Sequence, residues 1–198
     1  MNIAKLSPSI RNLLNVLVII ISAGICIMLL PTRWAGMEIF GIGPSWLVMW
    51  TIAWSIRRSF WQATTAGIIL GFIQDGMTSI STHPIGTTAA SHVVSLTAVG
   101  VLTVWLRKRR YINDGLIAIT ITTFLLTLLS ETILGVQHLL QMITVQLPDF
   151  NSLTMNQMWN HQSLAMLITA LLSSLWMPIL YQPLNLWWQK VLAFTKIN

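Results

Sequence analysis

Acidic side chains are nearly absent: five Asp and Glu in 198 residues, with charged residues of both signs at only 8%. Soluble domains carry about 25% charged residues, so a water-facing surface around a globule of this size is excluded. The single cysteine, Cys26, excludes an intramolecular disulfide and sits in an apolar run as a small packing residue. Low-complexity tracts and fixed-period repeats are missing, and no loop is long enough to fold as a domain. The G-x-x-x-x-G-K-[ST], G-x-S-x-G and H-E-x-x-H patterns are all absent, and His83, His92, His138 and His161 fall at no metal-binding spacing. The chain is therefore expected not to be an enzyme and to need no cofactor or metal.

What is present is apolar. Hydrophobic residues make up 55% of the chain, in stretches that approach the ~20 residues needed to cross a bilayer core. Six spans fit best, at 12–30, 37–56, 60–77, 84–106, 114–138 and 163–181. They predict an all-α, polytopic integral membrane protein with one membrane domain over 1–198. Gly41, Gly43 and Pro44 interrupt the second span. Thr82 or His83 is a candidate cap for the fourth, Asn113 and Asp114 suit the start of the fifth, and Pro178 predicts a kink or stop in the sixth. The first run, Leu13 to Leu30, outlasts a signal h-region and is followed by Pro31-Thr-Arg-Trp rather than small residues, so it reads as a retained helix.

The net charge of +6 comes in short clusters between apolar runs, not as a continuous basic face, which argues against nucleic acid. With six spans, Lys5, Arg11, Arg57, Arg58, Arg107, Lys108, Arg109, Arg110, Lys190 and Lys196 share one side, and only Arg33 takes the other. That asymmetry predicts cytoplasmic termini. Arg107, Lys108, Arg109 and Arg110 form a basic cluster beside the membrane, suited to topology and anionic lipid or to an acidic cytoplasmic partner. Several of the ten tryptophans fall near predicted interfaces. Trp46, Trp50 and Trp54, at i, i+4 and i+8, predict a lipid-facing or helix-packing stripe, with a partner-binding face as the alternative.

One segment stands out: Gly67-Ile-Ile-Leu-Gly71-Phe-Ile-Gln-Asp75. The spacing places Gly67, Gly71 and Asp75 on one helical face. Two glycines permit close approach of another helix, and a carboxylate inside a span is expensive enough to mark a function or a fixed contact. Counting ~1.5 Å per residue puts Asp75, His92 and Glu131 all in the outer half of the membrane on consecutive helices. Two readings of this polar cluster stand side by side. Each group locks packing by bonding a nearby hydroxyl, amide or water, or together they line an outward-facing cavity for a solute or proton.

The order Pro44-Ser-Trp, Arg57-Arg58, Gly67-x3-Gly71-x3-Asp75, then Pro84-Ile-Gly86, resembles the MreD family of bacterial rod shape-determining membrane proteins. By that resemblance Gly67, Gly71, Asp75 and Gly86 are motif positions for helix packing or partner docking. The resemblance implies a non-enzymatic scaffold of the elongation complex in the inner membrane, binding the bitopic protein MreC. MreC and its scaffold would link MreB filaments to wall synthesis by a SEDS glycosyltransferase and a class B penicillin-binding transpeptidase. The family is also distantly similar to the substrate-binding membrane subunits of energy-coupling-factor vitamin transporters, which is the alternative reading.

Overall fold

The computed structural model describes residues 8–32, 36–82, 90–109, 111, 115–145 and 152–195. Six helices run through them: α1 (Pro8–Leu29), α2 (Trp46–Ser55), α3 (Phe60–Thr82), α4 (His92–Lys108), α5 (Leu116–Val145) and α6 (Ser152–Thr195). Apart from one isolated bridge, Ile39 to Ile42, no strand pairing occurs among the described residues.

The short helix α2 is the centre of the fold. All its residues are buried except the half-buried Trp54, and it touches each of the other five helices. A helix apolar on every side must be enclosed on every side. At ten residues, it reaches only about 15 Å, half of a bilayer core. The regular part of the expected 37–56 span therefore begins only after Pro44. Ahead of it, Ile39 and Ile42 exchange two backbone hydrogen bonds of 3.0 Å. Phe40 and Gly41 between them hold φ of 54° and 75°, as a type I′ turn requires.

Polarity is distributed inside out. Outward surfaces carry Leu13 (66% exposed), Met28 (71%) and Leu175 (70%), whereas Thr51, Thr103, Thr123, Thr127 and Ser130 are buried. Three of those threonines satisfy themselves within their own helix. Thr51 Oγ1 donates to the Leu47 carbonyl at 2.7 Å, Thr103 to Val99 at 2.7 Å and Thr123 to Ile119 at 2.8 Å. Small hydroxyls paired in this way allow close helix contact without an orphan polar group. An apolar exterior over such an interior is suited to lipid, not water. Asn12–Leu29, Leu116–Gln141 and Gln162–Gln189 are long and apolar enough to cross a membrane.

Two boundaries differ from the sequence expectation. α4 starts at His92, not near Pro84, and its N-cap is Ser91, whose hydroxyl accepts from the Val93 N–H at 3.2 Å. Hydropathy is blind to a cap, because a cap is a hydrogen-bond device and not an apolar one. α6 continues through both Pro178 and Pro183, so neither stops it. α3 does begin where expected, at Phe60, behind a reciprocal capping box. The Gln62 side chain accepts from the Ser59 N–H at 3.2 Å, and the Ser59 hydroxyl accepts from the Gln62 N–H at 3.4 Å.

Candidate functional site

The glycine face of α3 is filled by α4. A Cβ on Gly67 would lie 2.7 Å from Thr97 Cα and 2.8 Å from the Leu96 oxygen. One on Gly71 would overlap Val93 Cα and lie 2.7 Å from Val93 N. One turn earlier, buried Ala63 meets Gly100 of α4, where an added Cβ would be 3.0 Å from the Ala63 oxygen. Positions 63, 67, 71 and 75 thus form one i, i+4 row along α3 laid against α4. The obstacles are backbone atoms, so no rotamer change can relieve them.

Asp75 ends this row at the N-terminus of α4. Its Oδ2 accepts from the Ser91 hydroxyl at 2.8 Å, and its Oδ1 accepts from the His92 backbone N–H at 2.7 Å. His92 Nδ1 lies 2.7 Å from the same Oδ1. An acceptor-only carboxylate requires that nitrogen to carry the proton and donate. A negative group here satisfies donors left open by the helix start and complements the positive end of its dipole. Asp75 therefore caps a helix from outside it, on a neighbouring strut.

A residue not singled out in the sequence completes the node. Gln137 of α5 accepts, through Oε1, from the Ser91 N–H at 2.8 Å. α3, α4 and α5 are thus pinned at one point by Asp75, Ser91, His92 and Gln137. The only signal for Gln137 in the sequence is an amide in an otherwise apolar helix, and amides of that kind are too common to point here. Replacing Gln137 by leucine should leave the Ser91 N–H unpaired and cost about 1–2 kcal/mol, read as an earlier midpoint in detergent unfolding.

The other anticipated residues fall elsewhere. Glu131 is partly buried on α5 and forms no hydrogen bond or ion pair with Asp75, His92 or another described residue. Two apolar cavities flank α1: about 540 Å³ between α1, α2 and α6, and about 680 Å³ between α1, α2 and α3. Neither is lined by Asp75, His92 or Glu131. Gly86, Arg110, Arg33, His83, Pro84 and Asp114 lie outside the described residues. Arg107 and Lys108 close α4, and the Arg109 guanidinium lies 5.6 Å from the centre of the Trp105 ring.

The tryptophan stripe of α2 turns inward. Trp46 and Trp50 are buried. Trp50 stacks on Trp54 at 5.5 Å between centroids, and Trp54 meets the edge of Trp188 at 5.9 Å. The Trp50 indole N–H donates to the Ser22 hydroxyl at 3.0 Å, tying α1 to α2. Arg57 at the α2–α3 turn donates to Asn185 Oδ1 of α6 at 2.6 Å.

Chemically, these groups hold helices in register. Among the described residues no three His, Cys, Asp or Glu side chains are grouped to hold a metal ion. A family model described as "MreD: rod shape-determining protein MreD" matches residues 10–191. No curated protein and no solved structure matches the chain.

Proposed function

The chain belongs to the MreD family of rod shape-determining proteins, and on that premise we propose that it is a non-catalytic scaffold of the cell-elongation complex in the bacterial inner membrane. In this reading it crosses the membrane six times, the second crossing made by α2 together with the irregular segment 37–45 ahead of it, with both termini in the cytoplasm. It binds MreC and helps to couple MreB filaments to peptidoglycan synthesis by the SEDS glycosyltransferase and its transpeptidase partner. The observation that carries the proposal is the family match over residues 10–191.

The geometry supports a structural role for the motif. Gly67, Gly71 and Asp75 are spent on joining α3 to α4, so they act on a partner through the shape they impose on the helix pair. A rigid pair presents its outer face without reorganisation on binding, which lowers the ordering cost of association. The transporter alternative needs a polar outward pocket that uses the node; the two cavities beside α1 are apolar, and the small polar one of about 200 Å³ beside Thr32 and Glu38 is, like them, not lined by Asp75, His92 or Glu131.

Affinity purification of the tagged full chain in mild detergent is expected to retain MreC in near-stoichiometric amount. Recovery of a folded protein without MreC, or with a small vitamin-like ligand and an energising ATPase module instead, would overturn the scaffold reading.

A further inference from the structure

The larger of the two cavities is an open groove with walls from α1 and α3 and a floor from α2, and Ile20, Gly24, Ile27, Trp54, Ile69 and Ile73 are among its lining residues. It follows α3 from Trp61 to Ile73, roughly 18 Å at the helical rise. That is close to the ~15 Å depth of one hydrocarbon leaflet. Its surface is almost wholly apolar, with Gln62 and Thr65 near the Trp61 end.

That end meets the turn between α2 and α3, which carries Arg58. The Arg58 guanidinium carbon sits 3.9 Å over the ring of Trp54, a groove residue. Its Nε is buried without a hydrogen-bond partner. No carboxylate or carbonyl among the described residues pairs with the guanidinium, in contrast to Arg57, which is bound to Asn185. Burial lowers the Arg58 pKa from its ordinary value, so the site disfavours the charge that arginine nevertheless keeps. A partly buried cation stacked on indole and lacking an anion is incomplete. The missing complement is an anionic group next to an apolar chain.

We propose that the groove between α1 and α3 is a binding site for an anionic phospholipid, with one acyl chain lying along α3 and the phosphate seated on Arg58. The acyl chain covers apolar walls that no described helix covers, and the phosphate oxygens accept from the guanidinium, a planar group with several donors. The site rests on the membrane embedding of the helices alone. It requires neither a partner protein nor a particular orientation, so failure of the MreC reading leaves it standing and its own failure leaves that reading intact.

The test uses the purified full chain in detergent, followed by native mass spectrometry with dioleoylphosphatidylglycerol or dioleoylphosphatidylcholine at equal concentration. The anionic lipid is expected to be retained about fivefold or more over the zwitterionic one. Arg58→Gln should cut that preference at least twofold, and Arg58→Lys, which keeps the cation at the same place, should retain most of it. Gly24→Phe supplies an independent arm. Nothing lies within 4 Å of a Cβ at Gly24, and the residue lines the groove, so a ring there is expected to occupy groove space and reduce retention of both lipids. Thermal unfolding of each variant verifies that it is folded, and Gly24→Phe decides the matter if Arg58→Gln does not fold. Equal retention of the two lipids by the natural chain overturns the proposal. So does unchanged retention in Gly24→Phe, or stabilisation by glycerol 3-phosphate as strong as by lipid. A dimer that forms through this groove with lipid excluded overturns it as well.

Discussion

Gly71→Leu should force α3 away from α4 and produce the largest loss of stability of any single substitution in the helix pair. The position already has no room for one carbon: an added Cβ would overlap Val93 Cα and sit 2.7 Å from Val93 N. Because these atoms are main chain, the only relief is a shift of a whole helix, which undoes the contacts at Gly67 and Ala63 along the same row. Gly71→Ala is expected to cost about 1–3 kcal/mol by overpacking, and leucine about 3 kcal/mol or more. The sign is informative, since alanine in a helix is otherwise favoured over glycine by about 1 kcal/mol. Gly76 lies on the same helix, and a Cβ added there would meet nothing within 4 Å. Gly76→Ala should therefore gain up to about 1 kcal/mol. Denaturant titration in detergent, followed by circular dichroism, reads both. A Gly71→Ala protein as stable as the Gly76→Ala one would show that the close approach contributes nothing.

Asp75→Leu should have the second-largest effect and should report on function as well as folding. The substitution removes the acceptor for three donors: the Ser91 hydroxyl, the His92 N–H and His92 Nδ1–H. The carboxylate is 27% exposed and His92 21%, so water replaces these bonds only in part. Hydrogen bonds to a charged group and loss of a helix cap together suggest roughly 2–4 kcal/mol. Asp75→Asn keeps one acceptor oxygen and should lose about half as much. The same order, natural chain above Asn above Leu, is expected for MreC recovery and for rod shape in a depletion strain. Normal shape and full MreC recovery with Asp75→Leu would separate the residue from the proposed assembly role. Substitution of Glu131, which makes no bond to the node, is expected to change MreC recovery less than Asp75→Leu does.

The face formed by Gly67, Gly71 and Asp75 is legible because an i, i+4 row is a local property, readable wherever the helix itself is readable. Its occupant is not. α4 lies against that row through Val93, Leu96 and Thr97, and the later start of α4 is set by Ser91 and Asp75 rather than by hydropathy. His92 does belong with Asp75, but through a helix start instead of a shared depth. Glu131 shares the apolar setting without sharing the bonds. Gln137 is invisible in the sequence because its role depends on a donor 46 positions away, the Ser91 N–H. The tryptophans of α2 carry the right spacing for a stripe, while the choice between lipid and interior depends on how many helices surround α2.

The sequence by itself determined that this chain is helical and apolar enough for a membrane, that the α3 row is built for close approach, and that its family is MreD. Composition, periodicity and short motifs hold that information, because each is set by residues adjacent in the chain. Tertiary structure alone decided that a ten-residue helix lies at the centre, that Asp75 caps α4, and that the Arg58 guanidinium lies over Trp54 beside an apolar groove. These facts arise from pairings between separate helices, where hydrogen-bond satisfaction and backbone clearance select one arrangement among many that hydropathy permits equally.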